Sequence, residues 1–131
     1  MEAIVQIFIG GVFACLAGAS KGVKDKLQFH FFSSIFVDWD HTFWNPEISW
    51  RRKYKNGIDP TPRFFGSTTI FVAFTDGWHL FQMLETVFTL LAFTFALHGL
   101  PDLYEVLITA IAVVTAKNIL FQFTFKELLT R

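Results

Sequence analysis

The sequence predicts an all-α integral membrane protein with three transmembrane helices, amino terminus outside and carboxyl terminus inside. Between the first two spans it predicts an ordered, amphipathic cytoplasmic loop containing a short interfacial helix. Three observations predict this. The chain holds three long apolar runs, its basic residues crowd between the first and second, and a Gly–Pro turn separates the second from the third. The whole of 1–131 reads as a single membrane domain.

Composition agrees with a lipid setting. Hydrophobic residues make up 53% and charged ones 17%, the latter below the roughly 25% of soluble domains. There are 18 phenylalanines, more aromatic surface than a soluble chain of this length can bury. Zero net charge argues against nucleic-acid binding. The single cysteine, Cys15, lies within the first apolar run and excludes an intrachain disulfide.

The first span covers about 3–20 and is interrupted only by Gln6. Ala17-Gly18-Ala19 resembles a signal-peptide cleavage site, but no Lys or Arg precedes the run, whereas Lys21, Lys24 and Lys26 follow it. An uncleaved span is therefore expected. The second span covers about 68–97, with Ser67 or Thr68 as a cap and Gly77 as a candidate kink. The third covers about 102–125. Between them, His98-Gly99-Leu100-Pro101-Asp102 closes a helical hairpin, with Gly ending one helix and Pro in the first turn of the next.

Orientation follows from the basic residues. Lys21, Lys24, Lys26, Arg51, Arg52, Lys53, Lys55 and Arg63 all fall between the first two spans, and the hairpin turn has none. Basic loops stay cytoplasmic, and Trp39, Trp44, Trp50 and Trp78 gather on the same side as an interfacial belt would. This reading assumes a bacterial-type inner (cytoplasmic) membrane.

The loop, about 21–66, is too aromatic to be disordered. Phe29 to Phe36 reads as an interfacial patch. Asn45-Pro46-Glu47 starts a helix expected over 46–55, with basic residues suited to its end and Asn56-Gly57 as the stop. Asp59-Pro60-Thr61-Pro62 is a stiff connector. Lys21, Lys24, Lys26, Arg51, Arg52, Lys53 and Lys55 are candidates for contact with anionic lipid headgroups; the plainer account is that they only set topology.

Three sets of residues carry the functional readings. Gly10, Ala14 and Gly18 recur every four residues, as do Gly11, Cys15 and Ala19. Small residues at that spacing let another helix approach closely, either within this chain or from a neighbour. Glu85 and Lys117 reach nearly the same depth in an antiparallel hairpin, where a lone charge is costly and pairing is expected. The same register puts Asp76 near Lys126, and Asn118 is a candidate interhelical hydrogen-bond donor. Glu85 is also the candidate for proton or ion movement. Finally, His30, Asp38, Asp40, His41, Asp76 and His79 map to the cytoplasmic interface and form a donor set for zinc or non-haem iron. Their spacing matches no metal motif, and Asp76 serves equally well as a helix cap.

No P-loop, GxGxxG, GxSxG, CxxC or EF-hand pattern is present. The leading expectation is a structural or assembly role, as a homo-oligomer or as an accessory subunit of a larger membrane complex. The runner-up is a membrane-interface, metal-dependent enzyme using the Asp/His set on a lipid-like substrate, and the third is an ion- or proton-conducting oligomer built on Glu85. No cofactor is required by the first reading; the second requires a divalent metal. Expected partners are the lipid bilayer and other membrane chains, self or foreign.

Overall fold

The structure is a computed structural model that describes residues 2–131. Three of its helices are long and apolar enough to cross a membrane. They are α1 (Glu2–His30), α4 (Gly77–Leu97) and α5 (Leu103–Phe123). Two single-turn helices, α2 (His41–Trp44) and α3 (Pro46–Ser49), lie in the segment between α1 and α4. Among the described residues there is no strand, only the isolated bridges Ser34–Thr130 and Tyr54–Pro62.

The first helix runs ten residues past the expected limit at 20. Its 29 residues rise about 43 Å, against about 30 Å of hydrocarbon. The extension persists because Val23, Leu27 and Phe31 follow at four-residue intervals and are all buried. They join Phe36 and Leu129 in a cluster under the loop, with Trp44 and Phe81 packed against it. Lys21 and Asp25 pair one turn apart on the outside of the same stretch.

Both α4 and α5 lean mainly on α1 rather than on each other. The hairpin thus straddles α1, because the small residues of α1 make it thin enough to sit between two neighbours. A side chain on Gly10 would come within 2.6 Å of Ala96 Cβ, and one on Gly18 would collide with the Lys117 carbonyl. Ala14, Ala92, Ala96 and Val113 form the second core cluster at this seam.

Gly77 is not a kink. The backbone of 64–75 is irregular, with one 3-10 turn at Val72–Phe74, and α4 begins at Gly77 with Asp76 as its cap. Asp76 accepts from the His79 backbone N–H at 3.0 Å, which satisfies one of the free donors of the first turn. Gly77 also lets the ring of Trp44 lie against the helix start. At the far end Gly99 takes φ 75°, and Asp102 rather than Pro101 opens α5, accepting from Glu105 N at 2.9 Å.

The segment 46–55 forms two short pieces, not one helix. Asn45 caps α3 by accepting from Glu47 N at 3.1 Å, and the chain then tightens into a 3-10 turn over Trp50–Lys53. Asn56 and Gly57, at φ 55° and 72°, turn it back. Lys55 N donates to Thr61 O at 2.8 Å and Arg63 N to Lys53 O at 2.9 Å. The chain's last residues are tied to this end of the bundle as well: Ile35 N donates to Leu129 O at 3.1 Å.

Candidate functional site

The most developed polar site lies among the three long helices. Glu85 on α4 meets Lys117 of α5 through Oε1 at 2.9 Å and Lys24 of α1 through Oε2 at 2.7 Å. Lys117 also donates to Thr89 Oγ1 at 3.1 Å, and Thr89 in turn donates to the Glu85 backbone carbonyl. The three charged side chains keep 15–21% exposure. They border a cleft of about 300 Å³ that includes Gln82, Thr86 and Thr89. Both carboxylate oxygens are occupied by ammonium groups, so the arrangement clamps three helices at one level. Glu85 alone neutralises only one of its two lysines, and Asp25, already paired with Lys21, approaches Lys24 at 3.9 Å.

Lys24 is the member that sequence reasoning misses, because its charge points to the loop. Its signal was the continuing helical repeat after residue 20, which carries Lys24 inward. Lys21 engages Asp25. Lys26 is buried, donating to Phe125 O at 3.1 Å and Thr130 Oγ1 at 2.7 Å. These three lysines therefore face protein partners, while Arg51, Arg52, Lys53 and Lys55 remain in the loop. Asn118, expected to bond across helices, is exposed.

The six proposed metal donors do not converge. Among the described residues, no group of three His, Cys, Asp or Glu side chains is placed to hold a metal. Asp76 and His79 do meet, with Nδ1 2.7 Å from Oδ2, and the Asp76 side chain is 2% exposed. Lys126, expected beside Asp76, is exposed. His41 is turned away, its Nε2 donating to Val37 O at 2.7 Å, with its ring edge-on to Phe31. His30 packs against Phe125. Asp38 pairs with Arg131 at 2.9 Å. Asp40 caps α2, and the Thr42 hydroxyl and amide that donate to it hold its carboxyl below the usual range.

The two small-residue stripes of α1 have different fates. Gly10, Ala14 and Gly18 are buried against the hairpin. Gly11, Cys15 and Ala19 look outward: nothing lies within 4 Å of a side chain built on Gly11. With Phe8 of α1 and with Ala116 and Leu120 of α5 they line an apolar groove of about 490 Å³.

Compared with known proteins, the chain matches no family model, and no curated protein or solved structure resembles it significantly.

Proposed function

We propose that this chain is a structural subunit of the membrane, one that assembles with a further transmembrane helix through the α1/α5 face. The observation that carries this reading is the open groove at Gly11, Cys15 and Ala19. Without a hydrophobic driving force in lipid, helices associate where small residues permit close backbone approach. The inner stripe is already used for that purpose within the chain; the outer one offers the same surface to a second copy or to a larger complex. The charge cluster supports the same reading, because it consumes its own polar groups in holding the bundle together. The enzyme alternative has only the Asp76–His79 pair in its favour, and a capped helix start accounts for that pair.

The proposed orientation places the loop and carboxyl terminus in the cytoplasm, the amino terminus and the hairpin turn outside. Its support is the concentration of basic residues at the loop end of the bundle. The host membrane proposed is a bacterial-type cytoplasmic membrane. Cysteine accessibility on either side of a sealed vesicle checks the orientation.

Native mass spectrometry from mild detergent tests the assembly reading. A defined oligomer or a stoichiometric partner is expected, and Gly11→Leu should abolish it while the chain itself stays folded. A strictly monomeric species without a partner refutes it.

A further inference from the structure

We infer that the concave basic face of the loop is a binding site for a phosphate group, carried by an anionic lipid headgroup or free in solution. The concavity is about 400 Å³ and is ringed by Arg51, Arg52, Lys55 and Arg63, with Thr42, Tyr54 and Asn56 completing its polar lining. No carboxylate lines it. Asp40 reaches only Arg52, at 3.8 Å, and Asp59 lies beside Tyr54. Among the described residues, Arg51, Lys55 and Arg63 make no ion pair within 4.0 Å.

What makes this a site rather than a scatter of surface charge is the backbone beneath it. The paired segments 53–55 and 61–63 set Arg63 opposite Lys53 and Lys55 opposite Thr61, which brings Arg63 and Lys55 onto one short two-stranded turn. Ser67 locks the base of that pairing, donating to Lys53 O at 2.7 Å and accepting from Arg63 N at 3.0 Å. Thr42 anchors Arg52 through a long contact of 3.4 Å. Four cations are thus kept around one hollow, three of them (Arg51, Lys55 and Arg63) without a counter-charge, and their mutual repulsion is relieved by a multivalent anion. Three are arginines, whose planar forks match phosphate oxygens in pairs. Ile48 lines the hollow and is 46% exposed, and Ile58 and Phe65, close in sequence to its lining residues, are 65% and 87% exposed. Such apolar side chains sit naturally among acyl chains beside headgroups. This site is separate from the α1/α5 groove, so either proposal stands or falls alone.

The test is native mass spectrometry of the full chain in neutral detergent, titrated separately with phosphatidic acid, phosphatidylcholine and inorganic phosphate. Phosphatidic acid should be retained about tenfold over phosphatidylcholine. Each cation near a surface phosphate contributes about fivefold in binding, so Arg51→Gln with Arg63→Gln should lower retention roughly twenty-fivefold. Lys126→Gln, a cation outside the hollow, should leave it unchanged. Both arginines are exposed, and circular dichroism checks folding; Arg51→Lys with Arg63→Lys keeps the charge and should still weaken retention by losing the forks. Phosphatidic acid retained despite millimolar inorganic phosphate identifies the lipid as the source. Inorganic phosphate that binds, and is lost in the Gln variant, identifies the free ion. Equal retention of both lipids without phosphate binding overturns the inference, and so does an equal loss with Lys126→Gln.

Discussion

Removing Glu85 should cost the protein more than removing either of its lysine partners. Glu85 is shared by two ammonium groups, and the next carboxylate, Asp25, stands at 3.9 Å from Lys24 while engaged by Lys21. Lys117→Met leaves a neutral Lys24–Glu85 pair, and Lys24→Met leaves a neutral Glu85–Lys117 pair. Glu85→Gln instead leaves two positive charges near one another between apolar helices. Breaking a buried pair from the side that strands a charge costs about 3–5 kcal/mol, and a lone Lys at mid-membrane about 2.5–3.5 kcal/mol. The residual exposure of these side chains, 15–21%, lets solvent and headgroups screen part of that. The expected loss for Glu85→Gln is therefore about 2–3 kcal/mol, against about 1 kcal/mol for either Lys→Met change. The triple change Lys24→Met, Glu85→Leu, Lys117→Met should return close to the parent, since apolar groups of similar volume replace buried ion pairs at little cost. Reversible unfolding in mixed micelles, read by tryptophan fluorescence, gives the four values. A Glu85→Gln protein no less stable than Lys117→Met would refute the clamp. A conductance assay in liposomes adds an independent check: the clamp reading expects no flux that depends on Glu85.

Further outcomes follow from the same geometry. Gly18→Val places its side chain against the Lys117 carbonyl and should destabilise the bundle by about 1–3 kcal/mol; Gly11→Ala, open on that side, should change thermal stability little. Equal effects at the two positions would contradict the assignment of inner and outer stripes. Asp76→Ala removes the α4 cap and the His79 partner and should cost about 1–2 kcal/mol, whereas Asp76→Asn keeps the cap and should cost less; chemical denaturation distinguishes them. Asp40 has a lowered folded-state pKa because Thr42 donates to its carboxylate. Its contribution is therefore present above the ordinary carboxylate range and is lost as pH falls through the lowered folded value. Thr42→Val should move the Asp40 titration upward in a carboxyl NMR experiment, and an unmoved titration would count against the hydroxyl as its main cause.

Much of the architecture is legible in local sequence chemistry. Three apolar runs of spanning length are visible because lipid demands continuous hydrophobic helix, a constraint that acts on every residue of the span. The cap at Asn45 and the Gly99 turn are short-range features, readable from neighbours a few positions apart. The end of α1 is less legible, because charge does not mark its boundary. Lys21, Lys24 and Lys26 look like a loop when counted, although Val23, Leu27 and Phe31 carry the helical repeat through them. Gly77 is ambiguous for a related reason: a glycine at a helix start and one at a kink look alike until the backbone before it is known.

What only the tertiary structure decided is which faces meet. Sequence spacing placed Glu85 and Lys117 at similar depth, but that α1 lies between their helices and brings Lys24 to the second carboxylate oxygen depends on a three-body packing. Likewise, both small-residue stripes looked equivalent along the chain; the hairpin occupies one and leaves the other open. The basic hollow also needed the fold, because Arg63 joins Arg51 and Lys55 only once the 53–55 and 61–63 segments pair. Each of these is a relation between residues far apart in sequence. Periodicity shows which side of a helix is apolar or small, but a neighbour's identity is set by the competition of several such sides for one another.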